Sequence, residues 1–209
     1  GNDFASYWGL DKDDYKGAVD WIINRRLRKI DVGRVSYDAG DLRKTRYFIN
    51  AMYVGLGARF VWISNGTRRF WGMQWLSYLS SMFLLLFERK LHRIDMKING
   101  EHIQDTIMTV CIGSARGYGL TPSAVPYNGW LDVSVVHRPE LLQLIKGLWL
   151  LVNGRLLNLK VVKPYRTHKV KILRAQNAAI SLDGRQLYND ESSLDVRILP
   201  EALTLIIPK

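Results

Sequence analysis

From Ile30 onward the apolar positions fall in short β-like runs broken by Gly, Asn and Asp. The pattern predicts strands at Ile30–Tyr37, Arg46–Met52, Asp95–Ile98, Thr106–Ile112, Leu131–Val136, Lys169–Leu173, Ala179–Leu182, Leu194–Ile198 and Leu203–Ile207. Asn99-Gly100 tolerates positive φ at both positions and predicts a two-residue hairpin after Ile98. Three segments carry the helical period instead. Asp11–Arg28 has acids at its start, Arg25, Arg26 and Arg28 at its end, and Tyr15, Val19, Ile22 and Ile23 on one side. Trp71–Leu91 carries a broad apolar stripe, but its uninterrupted apolar stretches are short and it holds Ser77, Ser80 and Ser81, so it lacks the run of ~20 apolar residues that spans a bilayer. It reads as a helix buried on a sheet, with a membrane-surface helix as the rival. Pro139–Val152 opens with Pro and Glu140 and ends at Asn153-Gly154. Many short strands with interposed helices predict a mainly β chain with α insertions (α+β), arranged as an antiparallel β-sandwich.

Composition narrows the chemistry only a little. The 209 residues are 47% apolar, enough for a real core. The formal charge of +11 suits a polyanion such as nucleotide phosphate or an anionic membrane leaflet. The cations are dispersed, without a basic tail or basic-aromatic RNA signature, so nucleic acid is not an expected partner. The single cysteine, Cys111, excludes an internal disulfide and a cysteine-rich zinc site. His92, His102, His137 and His168 lack metal-ligand spacing and read as surface or strand-end residues. There is no P-loop, no His-Glu-x-x-His and no Gly-x-Ser-x-Gly.

Local patterns in a fixed order carry more. They are Gly1-Asn2-Asp3-Phe4-Ala5, Ile30-Asp31-Val32-Gly33, and Arg46-Tyr47-Phe48-Ile49-Asn50 followed by Gly55-Leu56-Gly57-Ala58. Next come Gly119-Leu120-Thr121-Pro122-Ser123-Ala124 with Asn128-Gly129-Trp130-Leu131-Asp132, then Ser181-Leu182-Asp183-Gly184-Arg185, and the close Leu199-Pro200-Glu201-Ala202-Leu203. From residue 1 to residue 209 this series resembles the diacylglycerol kinase catalytic-domain family, the soluble bacterial lipid kinases and their sphingosine kinase-like relatives.

The resemblance implies the second, β-sandwich domain of the NAD kinase/diacylglycerol kinase-like fold. Residues 1–29 would be the tail of a nucleotide-binding α/β domain with a linking helix, and residues 30–209 the sandwich. The implied reaction is magnesium-dependent phosphoryl transfer from ATP to diacylglycerol or a related long-chain lipid alcohol. The family's Gly-Gly-Asp-Gly-Thr loop is not in this chain, which is therefore expected to be inactive alone. Carried over by motif, Asn2 and Asp3 would lie at the nucleotide, and Asp3 and Asp31 in a water-mediated magnesium network. Val125, Asn128 and Trp130 would ligate a magnesium ion, two of them through backbone carbonyls. The bland alternatives are a helix N-cap for Asn2-Asp3 and a strand-end turn for Asp31.

Two positions depart from the family pattern. Asn128 stands where the family has Asp, which removes a charge from the metal site. Arg185 stands at the proton-acceptor Glu of Leu-Asp-Gly-Glu, and arginine cannot act as a base. Asp183 could stand in, Glu191 could approach the same point, or the chain could be a kinase relative without activity; Arg185 could then hold a phosphate or carboxylate. The segments Trp71–Phe87 and Leu148–Leu151 are the candidate walls of a greasy acceptor cleft. Expected partners are a lipid substrate, ATP and a peripheral anionic membrane surface, with a homodimer as a further candidate. The expected location is cytoplasmic, at the inner face of the membrane. The rival readings are a non-catalytic basic module docking on anionic membrane or nucleotide, and an NAD kinase-like enzyme.

Overall fold

The computed structural model describes residues 3–10, 14–59, 90–116, 119–153, 155–187 and 193–207. Helices α1 (Asp3–Tyr7) and α2 (Tyr15–Ile23) precede β1 (Leu27–Ala39), β2 (Leu42–Phe48) and β3 (Ala51–Gly55). There follow β4 (His92–Ile98), β5 (Glu101–Gly113), β6 (Leu131–His137), helix α3 (Leu141–Val152) and a 3-10 turn at Leu156–Asn158. The chain continues through β7 (Val162–Thr167), β8 (Lys169–Ala175), β9 (Ile180–Leu182), β10 (Arg185–Leu187) and β11 (Leu194–Ile206). The predicted Trp71–Leu91 helix lies outside the described residues up to 89, and Lys90-Leu91 lead straight into β4.

Every strand pairing is antiparallel, in the order β10-β9-β3-β5-β4-β8-β11-β1-β2, with β6 and β7 continuing from β5. The predicted mainly β sandwich is what forms. The 13-residue β5 joins its parts: Glu101–Ile107 pair with β4, whereas Thr109–Gly113 pair with β3 and, from Ile107, with β6. Strand β4 shows the period of two that drives this packing, with His92, Ile94, Met96 and Ile98 inward and Arg93, Asp95 and Lys97 outward. The inward rows of β1, β3, β4, β5, β6, β8 and β11 meet in one core around Val35, Met52, Met96, Ile112, Val133 and Val196. Strand β6 is buried on both sides, because Leu131, Val133 and Val135 enter that core while Val136 meets Leu150 of α3, Leu156 and Leu159. Cys111, inside β5, is fully buried, and burial pushes its thiol up to about 12.

The structure corrects several predicted boundaries. Helix α2 occupies only the middle of Asp11–Arg28: Asp14 caps it by accepting from the Gly17 amide at 2.8 Å. Arg25 turns the chain with φ of 45°, and Leu27–Lys29 pair with Thr204–Ile206. A domain boundary at residue 29 therefore falls inside β1. The strand predicted at Arg46–Met52 is two strands broken at Ile49-Asn50. The strands predicted at Leu194–Ile198 and Leu203–Ile207 are one, with a bulge where Pro200, Glu201 and Ala202 face Asp31 alone. Pro200 has no amide to give a ladder, and this break is where the sheet tolerates it. At α3, Pro139 and Glu140 stay outside the helix, and Glu140 is its N-cap, donating its amide to the Gln143 side chain at 2.9 Å. Asn153 ends α3, and Gly154 lies outside the described residues. Strands β7 and β10 had too little pattern to predict: β7 is an edge strand carrying Pro164, and β10 is three residues long.

The Asn99-Gly100 hairpin is as expected, with φ of 50° and 81° and Ile98 paired to Glu101. A side chain at Gly100 would meet nothing within 4 Å, so only backbone strain opposes one. Gly100→Ala should lose about 1–2 kcal/mol in urea unfolding, and Asn99→Gly about 0.5–1.5 kcal/mol, because it gives up the bond from the Asn99 side chain to the Arg166 carbonyl at 2.9 Å.

Candidate active-site cleft

The Leu182-Asp183-Gly184 motif is a tight turn between β9 and β10, with φ of 46° at Asp183 and 84° at Gly184. The Asp183 carboxylate reaches back over the break between β2 and β3. It accepts from the amides of Ile49 at 2.7 Å, Asn50 at 3.0 Å and Ala51 at 3.0 Å. Its own amide donates to the Ala51 carbonyl at 3.0 Å. On the other side, the Ser114 and Ala115 amides both donate to the Asn50 carbonyl at 3.0 Å, and the Ser114 hydroxyl donates to Ile49. The Phe48-Ile49-Asn50 and Leu-Asp-Gly motifs are thus one hub of three loops. Burial pushes the Asp183 carboxyl above its ordinary range, against the pull of the three amides. Both its oxygens are engaged, so holding the hub is the work its geometry shows.

Beside this turn opens a cleft of about 440 Å³, walled by Arg59, Lys90, His92, Ser181, Gly184 and Gln186, among others. His92 ends the inward row of β4 and is only 5% exposed. Its Nε2 and the Ser181 hydroxyl oxygen are buried without a hydrogen-bond partner. Burial lowers the His92 pKa from 6.5, Arg59 and Lys90 press the same way, and hydrogen bonding to the backbone of Gln176 opposes them. With Nε2 lacking a partner, a backbone bond made through Nδ1–H would leave Nε2 as the accepting nitrogen of the neutral ring. Arg185 is exposed and is not among the cleft walls; alternation along β10 sends it to the opposite face from Gln186. A smaller depression of about 270 Å³ elsewhere is lined by Asp132 and Arg166, which satisfy each other at 2.7 and 3.1 Å.

The other site residues expected from sequence gather in a second place. Asp31 is 1% exposed, and its carboxylate accepts from the Gly129 amide at 2.6 Å and the Glu201 amide at 3.0 Å. Its amide donates to the Pro126 carbonyl at 2.8 Å. Asn128 accepts from the Trp130 amide at 3.0 Å, and Trp130 lies on His168 with ring centroids 3.7 Å apart. Tyr127 carries this loop to the N-terminal segment: its hydroxyl accepts from Tyr7 at 3.2 Å, and Arg28 sits 4.0 Å over its ring. Burial and Tyr127 push the Tyr7 hydroxyl up to about 12.

Asp31 and the Val125–Trp130 loop are therefore brought together, next to the segment that holds Asp3 in α1, while Asp183 lies in the loop hub beside the cleft and Arg185 lies outside the cleft. Asn2 and Glu191 lie outside the described residues. The donor set around Val125–Trp130 does not fit a charged magnesium site, because Asp31 is occupied by amides and Asn128 is neutral. Among the described residues no group of three or more His, Cys, Asp or Glu could hold a metal ion. His92, expected as a surface or strand-end residue, is at a strand end but buried, and neither it nor Ser181 was expected as a cleft residue. The one available signal was His92 standing two residues before Ile94, Met96 and Ile98 in the same alternation.

A curled antiparallel sandwich with its cleft at a Leu-Asp-Gly turn defines the class: the β-sandwich domain of the NAD kinase and diacylglycerol kinase fold. The chain belongs to the YegS C-terminal NAD kinase beta sandwich-like domain family, which it matches over residues 50–207. It is 24% identical over 187 residues to the diacylglycerol kinase of Bacillus subtilis (strain 168), covering 88% of this chain and 59% of that protein. The crystal structure of a diacylglycerol kinase from Bacillus anthracis superposes with a TM-score of 0.61 at 13% identity, over 99% of this chain and 63% of that one. Yeast NADH kinase complexed with NADH superposes with a TM-score of 0.52 at 11% identity, over 92% of this chain and 47% of that one. The chain thus spans about three-fifths of the diacylglycerol kinases it resembles.

Two outcomes follow from the hub and the cleft. Asp183→Ala leaves three amides without their acceptor and should cost about 1–3 kcal/mol in urea unfolding. His92 has a folded pKa below its unfolded 6.5, so between the two the unfolded chain binds more protons. Its contribution to stability is present above pH 6.5 and falls as pH drops toward the folded value. His92→Gln should flatten that part of the pH dependence of the urea midpoint.

Proposed function

We propose that this chain is the acceptor-side half of a lipid kinase that transfers a phosphoryl group from ATP, with magnesium, to diacylglycerol or a related long-chain lipid alcohol. The carrying observation is the 440 Å³ cleft beside Asp183-Gly184, in which two cations stand with a buried, unpartnered His92 Nε2. Phosphoryl transfer needs neutralised phosphate charge and a group that receives the hydroxyl proton. Arg59 and Lys90 supply the first, and His92, kept neutral by burial, supplies the second where Arg185 cannot. Asp183 keeps the turn in place rather than taking the proton.

In this reading magnesium and most nucleotide contacts come from a preceding half, as in kinases of this fold, and the chain alone turns nothing over. The test is transfer of labelled phosphate from ATP to a panel of lipid alcohols and to NAD, by the chain alone and joined to a nucleotide-binding half. His92→Gln should lower kcat by about 10²–10⁴-fold, and Arg185→Ala by far less. Transfer by the chain alone, preference for NAD, or an undiminished His92→Gln variant would each overturn part of the reading.

A further inference from the structure

Helix α3 presents to solvent the wrong kind of surface for a water-facing helix. At about 100° per residue, Leu141, Ile145, Trp149 and Leu142 fall within an arc of roughly 100°. They are 53, 55, 63 and 77% exposed. The opposite arc does the packing: Leu150 is buried against Val136, Leu156, Leu159 and Val162, with Leu151 beside them. The helix is therefore apolar on both sides, and the described residues that pack on it cover only one of them.

The charge carried on α3 and in the chain on either side of it points to what covers the open side. Between residues 138 and 160 the chain carries Arg138, Lys146, Arg155 and Lys160 against the single acid Glu140. All four cations are exposed and none is in an ion pair among the described residues. Lys146 borders the apolar arc on the helix itself. A tryptophan and leucines flanked by unpaired cations match the interfacial zone of an anionic bilayer, where the rings and alkyl chains enter and the cations meet headgroups. A second copy of this surface would bring cations against cations. No helix among the described residues is long and apolar enough to cross a membrane, so contact through α3 would be a lying-on, not a spanning, mode.

We propose that the outer face of α3 docks the protein on an anionic lipid surface, with Leu142 and Trp149 inserted and Lys146, Arg155, Arg138 and Lys160 at the headgroups. The inference rests on this surface alone and not on the kinase reading; vesicle binding can hold where transfer fails, and the reverse.

The experiment is co-sedimentation of the 209-residue chain with vesicles of phosphatidylcholine alone or with about 30% phosphatidylglycerol. The chain should bind the anionic vesicles, and raising salt toward about 1 M should weaken binding. Leu142→Glu with Trp149→Glu should reduce partitioning at least about tenfold. Lys146→Ala with Arg155→Ala should reduce it by about tenfold, while Tyr47→Glu, exposed on β2, leaves it unchanged. Circular dichroism would show that the exposed substitutions leave the fold intact. Equal binding by the α3 variants overturns the proposal. So does salt-sensitive dimerisation without vesicles that those variants abolish, which would make α3 a self-association face. A chain that neither binds vesicles nor self-associates overturns it as well.

Discussion

A carboxylate can be held in place without a cation if main-chain amides take up its charge, and the loops of this sandwich hang on two such groups, one buried (Asp31) and one at the surface (Asp183). Asp31 holds the bulge of β11 and the loop before β6 against β1 through the Glu201 and Gly129 amides. Asp183 holds the break between β2 and β3 through three amides. Each amide bonded this way is one the sheet ladder or a turn has left over. The sandwich core would form from its apolar rows in any case. The positions of the loops at its ends depend on the two aspartates.

This recasts what the family motifs do here. Read as chemistry, Asp31 and Asp183 are candidates for metal and proton. In the fold both oxygens of each are occupied by amides, so their visible task is to place other groups. What they place differs. Asp31 fixes the Tyr127 loop against the N-terminal segment, and Asp183 fixes the turn that walls the cleft of His92 and Ser181. Arg185 can replace a carboxylate without disturbing this frame, because it lies outside the cleft and carries none of these bonds.

Legibility in the sequence followed physical range. The β4–β5 hairpin was readable because Asn99-Gly100 and the alternation of Ile94, Met96 and Ile98 are local. Helix α2 was drawn too long because the pairing of Leu27–Lys29 with Thr204–Ile206 comes from the other end of the chain. The same distant partner made one bulged strand of what looked like two around Pro200. The motifs marked where the site is, but which residues face the cleft depended on burial at sheet ends, which a lone histidine does not announce. The apolar pattern of α3 was visible, while its second, uncovered side emerged only once the packed side was known.

Strand β5 has a consequence for how the protein comes apart. Its first half is paired with β4 and its second half with β3 and β6, so none of these three inner strands can leave the sheet without disturbing it, while the outer strands can fray and leave it intact. Cys111 lies in that second half, between β3 and β6, with its thiol fully enclosed. A thiol reagent can reach it only when this strand opens. The rate at which it is labelled is therefore a clock, built into the wild-type sequence, for the opening of the whole sandwich rather than for the fraying of an edge.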